Sequence, residues 1–213
     1  MKTKIEIKSV TGEVLFSCEK EDNTIKKTVE EAARNGVNLD GAYLRGTYLR
    51  GAYLNGISLD GANLSGAYLD NACLEDVNLR GANLCGTYLR GVYLRGANLR
   101  RVNLEDAYLR GANLTGANLT GAYLNGAYFD GAFLSNVYVR DGLMLSGVNG
   151  IFTVGAIGIV IYNTDKGLYV QCGRFFDTIE EFVTKVQGMH DKAKSRFYMA
   201  LVDLAKTKYN ENN

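Results

Sequence analysis

A five-residue repeat runs without insertion through residues 37–141 and strongly limits how this chain can fold. Each of its twenty-one units has a large apolar residue at its centre: leucine from Leu39 to Leu124, then Phe129, Leu134 and Val139. Two residues before each centre stands a small or β-branched residue. Intervals of two and three residues between inward positions fit neither an α-helix nor a long strand. Each unit is therefore predicted to form one side of a coil, a short bridge followed by a tight turn.

Glycine usually stands two residues after each centre. A type II turn needs a positive φ at that position, which glycine adopts freely and Asn or Asp adopts tolerably. The exceptions are Asn71, Asp76, Arg101, Asp106, Asn136 and Asp141. Because arginine fits worst, we expect a turn nearer type I at Arg100–Arg101, and also at Glu75–Asp76 and Glu105–Asp106.

The residue just before each centre indicates how many sides form a coil. Sorting these residues at a spacing of twenty gives two uniform columns: Tyr48, Tyr68, Tyr88, Tyr108 and Tyr128, and Asn38, Ser58, Asn78, Asn98 and Asn118. A spacing of fifteen mixes tyrosine with asparagine. Since like side chains stack well across strands ~4.8 Å apart, we expect four sides per coil, about five and a quarter coils and a rod roughly 25 Å tall.

This pattern resembles the pentapeptide repeat family, whose consensus reads A-(D/N)-L-x-x. Residues 62–66, Ala-Asn-Leu-Ser-Gly, and 112–116, Ala-Asn-Leu-Thr-Gly, match it residue for residue. The resemblance covers 105 of the 213 residues. It implies a mainly β fold, a right-handed, four-sided (quadrilateral) parallel β-helix solenoid. It also implies an alternative function, because some family members protect DNA gyrase by imitating the shape and negative charge of duplex DNA.

The flanking segments predict a cap at each end, which divides the chain into residues 1–36, 37–150 and 151–213. Alternating apolar residues over 4–18 predict a hairpin that turns at Thr11–Gly12. A three-to-four spacing predicts a helix over about 24 to 35, with Asn23 or Thr24 as N-cap. We expect its apolar stripe to cover the open end of the solenoid.

Beyond the repeat, the phase slips over residues 140–147, where we expect a bulge or an irregular last coil. Residues 159–172 predict a second hairpin, and two helices follow an N-cap at Asp177 or Thr178. The resemblance implies dimerisation at this end of the chain. The apolar stripe Phe197, Leu201 and Leu204 would suit self-association, so we expect the C-terminal helices to cap the rod or to pair two copies as a homodimer.

The composition and the motifs argue against several function classes. Lys+Arg 24 against Asp+Glu 23 leaves a net charge of +1, too little to attract nucleic acid or an anionic membrane. The four cysteines and the single His190 have no metal-site or disulfide spacing. We find no nucleophile beside a base and no phosphate-binding loop, so we expect neither catalysis nor a cofactor. The charged N-terminus and the lack of a ~20-residue apolar run predict a cytoplasmic protein without a membrane span.

The tyrosine column is the candidate interaction face. Five aromatic residues beside Arg50, Arg90 and Arg110 could hold a partner protein or single-stranded nucleic acid. Alternatively, the rings only stack on one another and stabilise the rod. The interleaved Asp70 and Asp130 would repel phosphate, which favours self-stacking and makes nucleic acid an unexpected ligand.

The charged residues of the repeat are balanced. Residues 37–141 contain nine Asp or Glu and nine Arg, whereas a DNA mimic needs an acidic surface. The twenty-residue columns place opposite charges next to each other, and we expect three such pairs: Asp60 with Arg80, Asp70 with Arg90, and Glu75 with Arg95. The leading hypothesis is therefore a non-enzymatic interaction scaffold for an unknown protein partner. A DNA-mimic, topoisomerase-interacting or nucleic-acid-binding protein is the alternative.

Overall fold

The computed structural model describes residues 2–140, 143–144, 151–154, 159–172 and 175–210. Single-residue bridges form the repeat, and longer elements lie at its two ends. In chain order these elements are β1 (Lys2–Lys8), β2 (Val14–Glu21), α1 (Ile25–Arg34), β3 (Tyr138–Arg140), β4 (Leu143–Met144), β5 (Ile151–Val154), β6 (Ile159–Thr164), β7 (Gly167–Cys172), β8 (Phe175–Thr178), α2 (Ile179–Gln187) and α3 (Lys192–Asn210).

The repeat forms a four-sided parallel β-helix, as its sequence pattern predicts. Every parallel bridge joins residues twenty apart, such as Tyr48 with Tyr68 and Asn78 with Asn98. Each side is held by backbone hydrogen bonds to its neighbouring coils. The N–H of Asn63 donates to the carbonyl of Ala42, and its own carbonyl accepts from the N–H of Leu44. The coils therefore stack as strands do in a parallel sheet, one residue at a time.

The two inward positions of each unit fill the core. Most centres, from Leu39 to Val139, and most residues two before them are fully or almost fully buried. Where that second position is a threonine, its hydroxyl is satisfied by a backbone carbonyl: Thr47 donates to Leu44 and Thr87 to Leu64. The core is thus apolar, and its buried hydroxyl groups are paired.

The prediction of type I turns at the three unusual corners is wrong. Arg101 has φ 56°, Asp76 55° and Asp106 55°, inside the range of 55–72° that the repeat's corners span. The N–H of Arg101 donates to the carbonyl of Thr120 in the next coil, as the corner glycines do. This bond requires the same turn at every described corner, and it outweighs a local cost of roughly 1–2 kcal/mol for a left-handed arginine. The predicted turn at Asp141 lies outside the described residues.

At many corners, a polar side chain accepts a hydrogen bond from the backbone N–H of the residue just before the corner residue. An asparagine just before the centre accepts from the N–H two residues later: Asn63 from Ser65 and Asn103 from Glu105. Elsewhere the acceptor lies in the preceding coil, as with Asn55, whose Oδ1 accepts from the N–H of Glu75. The asparagines are therefore part of the turns.

Asp40 uses its carboxylate in this way in the first coil. Its Oδ1 accepts from the N–H of Asp60 at 2.9 Å and from the hydroxyl of Ser58. Burial alone would raise the pKa of Asp40, but hydrogen bonds with Ser58, Asn38 and Asp60 outweigh it and lower the pKa. The carboxylate consequently stays ionised at neutral pH and joins two coils.

The N-terminal segment covers the first coil. The hairpin β1–β2 and the helix α1 form as predicted, and Thr24 is the N-cap, its side chain accepting from the N–H of Lys27. Ile7, Val29 and Ala32 are buried in the same core as the repeat leucines. The hairpin also pairs with the coil edge, because the N–H of Tyr43 donates to the carbonyl of Lys8 at 2.7 Å.

A sheet and two helices lie at the other end. The predicted second hairpin is the centre of a four-stranded antiparallel sheet in the order β5-β6-β7-β8, whose outer strands we did not predict. Val160 and Tyr162 pack against the repeat core, whereas Ile159 and Ile161 pack against α2 and α3. Strand β6 is therefore buried on both faces. Within the predicted phase slip, β3 and β4 pair antiparallel with a bulge, and residues 141–142 and 145–150 lie outside the described part.

The corner residues restrict one another between coils. A Cβ added at Gly96 would overlap with Oδ1 of Asp76, the corner residue of the preceding coil. The same overlap occurs at Gly126 with Asp106 and at Gly91 with Asn71. An Asn or Asp at a corner therefore favours a glycine at the corner twenty residues later, whereas a Cβ at Gly121 would lie 3.4 Å from Cγ of Arg101, an ordinary contact.

We predict that Gly96→Ala destabilises the rod more than Gly116→Ala. Both substitutions place alanine at a positive φ, but near Gly116 only a backbone nitrogen 4.0 Å away approaches the new Cβ. Alanine at position 96 must also displace the Asp76 carboxylate, which adds about 1 kcal/mol. Urea unfolding of the single variants measures this difference. Asp76→Gly in the Gly96→Ala background should remove the excess, and equal costs without Asp76→Gly would contradict the steric rule.

Candidate interaction surface

The five tyrosines of the predicted column form one continuous stack, here called the tyrosine ladder. Neighbouring ring centroids are 4.7, 4.8, 5.0 and 5.1 Å apart from Tyr48 to Tyr128, and neighbouring ring planes differ by 1–7°. These values are typical of offset parallel stacking. The spacing follows from the distance between adjacent coils, so the backbone repeat itself positions the rings.

This stacking determines which part of each ring is available to a ligand. The faces of the inner rings at Tyr68, Tyr88 and Tyr108 contact neighbouring rings on both sides. A nucleotide base needs an open aromatic face to stack on, and the inner rings offer none. Tyr88 is nevertheless 38% exposed, so it presents its edge to solvent.

A second group of exposed aromatic residues lies on the next side of the coil, here called the adjoining face. Its column before the centres is Tyr53, Cys73, Tyr93, Asn113 and Phe133. Tyr53, Tyr93 and Phe133 are exposed, but no described ring stacks on them. The ladder and the adjoining face meet at the corner that contains Arg50, Asp70, Arg90, Arg110 and Asp130.

Asp70, at this corner, does not form the side-chain ion pair that we expected. Asp70 Oδ1 accepts from the backbone N–H of Arg90 at 3.1 Å, and its Oδ2 lies 3.3 Å from Nε of Arg50. The expected side-chain pair of Asp70 with Arg90 is therefore absent. A corner carboxylate lies close to the next coil's backbone, and the N–H group takes the oxygen that a guanidinium would need. Within the described residues, Arg90 and Arg110 have no ion-pair partner.

The two other expected pairs are also absent. No carboxylate lies within 4.0 Å of the guanidinium of Arg80 or Arg95 in the described part of the chain, so Asp60 and Glu75 do not form the predicted salt bridges. The columns still contain opposite charges, but these charges attract one another over distances longer than a salt bridge and are screened by solvent. The arginines of the middle coils are therefore available for other contacts.

The described residues contain no group of three or more His, Cys, Asp or Glu that could hold a metal ion. Burial raises the pKa of the Cys85 thiol, with a further contribution from the Asp106 and Glu105 carboxylates, which opposes formation of a reactive thiolate. An open groove of about 390 Å³ follows another corner and is lined by Glu75, Asp76, Arg95, Gly96, Thr115 and Gly116.

The predicted self-association stripe is only partly exposed. Phe197 and Leu204 are 47% and 53% exposed, whereas Leu201 packs against the core formed by α2, α3 and the sheet. His190 lies exposed between the two helices. Among the described helices, none is long and apolar enough to cross a membrane.

A known protein family has a sequence repeat of this kind. The sequence model of Pentapeptide repeats matches residues 38–76, 72–111 and 103–141, with eight copies. The chain belongs to the pentapeptide repeat family. Members of this family fold as right-handed quadrilateral β-helices, as the sequence resemblance implies. No curated protein sequence matches the chain.

Solved structures of other pentapeptide repeat proteins resemble parts of this one. Rfr23 from the cyanobacterium Cyanothece 51142 is 38% identical over 44% of this chain and 64% of its own, with a TM-score of 0.42. HetL from Nostoc sp. PCC 7120, involved in heterocyst differentiation regulation, is 29% identical over 51% and 62%, with 0.41. A protein of the Arabidopsis thaliana thylakoid lumen is 31% identical over 46% and 72%, with 0.40. The chain thus spans less than two-thirds of the first two proteins.

We predict that Tyr88→Ala destabilises this pentapeptide repeat protein more than Tyr93→Ala. Tyr88 stacks on two rings, and each stack contributes about 0.5–1 kcal/mol. Tyr93 is similarly exposed but lies between Cys73 and Asn113. Urea unfolding should give a cost of about 1–2 kcal/mol at position 88 and a smaller cost at position 93. Equal costs would mean that ring stacking adds nothing to the rod.

Proposed function

We propose that this pentapeptide repeat protein is a non-enzymatic scaffold that binds a partner protein through the tyrosine ladder and the adjoining face. The observation that carries the proposal is that Arg90 and Arg110, which have no ion-pair partner among the described residues, lie between the tyrosine ladder and the exposed aromatic residues of the adjoining face. Tyrosine and arginine are the residues that most often dominate the binding energy of protein interfaces. The stacked rings are already ordered, so a partner would lose little conformational entropy on binding them.

The alternative of DNA mimicry finds no support in the charges of the rod. A DNA mimic requires a continuous acidic face, and the corner between the ladder and the adjoining face contains three arginines and two aspartates. Nucleic-acid binding is also disfavoured, because the inner rings offer edges rather than faces. A protein surface, which can donate and accept hydrogen bonds at the phenol groups, fits this geometry better.

We predict that a photo-crosslinker identifies the binding face. In native cell extract, p-benzoylphenylalanine at position 88 or 93 should give the same protein adduct, because these sites flank the free arginines. The matched control is position 123, where Tyr123 is 57% exposed on a different side of the coil. Unlabelled protein should compete for the adduct, and the Arg90→Ala, Arg110→Ala variant should compete poorly. An equal adduct at position 123, or none at 88 and 93, would overturn the proposal.

We further propose that two copies pair through α3. Ala193, Phe197, Ala200 and Leu204 recur at intervals of four, three and four, the spacing of a helix–helix seam. Arg196 and Asp203 are exposed and flank this seam on one side. If two copies of α3 pack antiparallel, each Arg196 lies near the second copy's Asp203. Opposite charges at these positions favour that orientation.

Sedimentation velocity at micromolar concentration tests the pairing. We predict a dimer for the unmodified chain and a monomer for Phe197→Glu, because a carboxylate in the seam loses its hydration. Asp203→Arg should weaken the dimer by placing like charges together, and adding Arg196→Asp should restore it. A monomeric unmodified chain, or no restoration in the double variant, would exclude antiparallel pairing through this seam.

A further inference from the structure

Among the residues that the structure describes, the first coil leaves its strand edge open at Tyr48. On two of its sides the edge N–H is paired: Tyr43 donates to the carbonyl of Lys8, and Tyr53 donates to Oε1 of Glu30 at 3.1 Å. Tyr48, between them, has no protein partner for its N–H or its carbonyl in the described part of the chain. Asn38 likewise has an unpaired N–H in this part of the chain, but there the coil continues directly from α1, and the N–H of the neighbouring Val37 donates to the carbonyl of Ala32.

The same residue has the open face of the tyrosine ladder. Tyr48 stacks on Tyr68 on one side only and is 68% exposed. In the rest of the ladder, each tyrosine N–H donates to the preceding coil, as Tyr68 does to the carbonyl of Thr47. Position 48 thus lacks both partners that a preceding coil would supply, one backbone residue and one ring.

The charges around Tyr48 are mainly basic. Arg45 and Arg50 stand at the two corners that flank it, and Nζ of Lys26 reaches the corner at Gly51. The carboxylates nearby are already engaged: Glu30 with Tyr53 and Lys26, and Asp70 with Arg50 and Arg90. Arg45 has no ion-pair partner among the described residues. An approaching segment with acidic residues would therefore be favoured.

We propose that Tyr48 docks an extended segment of a partner protein, which places an aromatic side chain on the open ring and pairs its backbone with Tyr48. The acidic residues of that segment would lie beside Arg45, Arg50 and Lys26. Addition of a strand to an exposed edge supplies the backbone bonds, and the ring supplies selectivity. This inference rests on the proposed scaffold function and names the chemistry of the partner. Single-stranded nucleic acid fits less well, because it cannot complete the strand edge.

The test uses the full chain and the peptide acetyl-Asp-Thr-Trp-Thr-Asp-amide. The chain contains no tryptophan, so tryptophan fluorescence reports on the peptide alone. We expect saturable binding that weakens about five- to tenfold in Tyr48→Ala, given the strength of an aromatic pair. Tyr123→Ala, exposed on another side, should bind like the unmodified chain. N-methylation of the tryptophan amide, or lysine in place of both aspartates, should weaken binding.

Pairing of the peptide backbone with Tyr48 can be measured separately by NMR. In the chain labelled with ¹⁵N-tyrosine, the Tyr48 amide should exchange rapidly with solvent, and the peptide should shift its resonance and slow its exchange. The Tyr53 amide, already bonded to Glu30, is the internal control and should not change. No saturable binding, an undiminished affinity in Tyr48→Ala, or shifts confined to other tyrosines would overturn the proposal. Tighter Tyr48-dependent binding of oligodeoxythymidylate would overturn it in favour of nucleic acid.

The experiments distinguish failure of the proposed scaffold face from failure of the Tyr48 docking site. A crosslinked partner at positions 88 and 93 together with no peptide binding would remove only the Tyr48 site. Peptide binding at Tyr48 without an adduct at those positions would instead remove the broad face and leave the end of the ladder as the binding site.

Discussion

The backbone hydrogen bonds between successive coils are the interaction on which the rest of this structure depends. Each side consists of one bridge residue and one turn, and so short a segment does not fold stably by itself. Each side becomes stable only because the coils before and after it supply its hydrogen-bond partners. The same bonds keep equivalent residues twenty positions apart in register. The apolar core, the turns with positive φ, the asparagine contacts and the tyrosine ladder all follow from that register.

The sequence predicts this register well because the constraint acts on every unit. A large apolar residue at each centre and tyrosines at a spacing of twenty are enough to derive four sides and the stacked rings. The error at Arg101 arose because we judged one turn from local propensity. In the structure, the N–H of Arg101 must reach the carbonyl of Thr120, and this long-range requirement decides the turn. The outer strands β5 and β8 have short patterns that only their pairing with β6 and β7 makes recognisable.

The candidate surface could be predicted less completely than the fold. Column sorting places Tyr88 beside Arg90 and Asp70, but it does not indicate which atom a carboxylate binds. The backbone N–H of Arg90 donates to Asp70 Oδ1, so guanidinium groups that a count of charges would pair have no ion-pair partner among the described residues. Similarly, the sequence predicts stacked tyrosines without revealing that stacking hides the inner ring faces. Both differences depend on distances of a few ångströms, which a residue pattern does not contain.

Stacking along the rod also limits where a partner can gain binding energy. Contacts that the coils make with one another are unavailable to a ligand, so the middle of the tyrosine ladder offers a ligand the edges of its rings and guanidinium groups that have no ion-pair partner among the described residues. At the end of the solenoid, one coil lacks its predecessor, and unpaired groups remain wherever the cap does not replace it. Within the described ranges, the cap replaces it at Tyr43 and Tyr53 but not at Tyr48. Among the described residues, Tyr48 of the first coil therefore keeps both an unpaired strand edge and an open ring face.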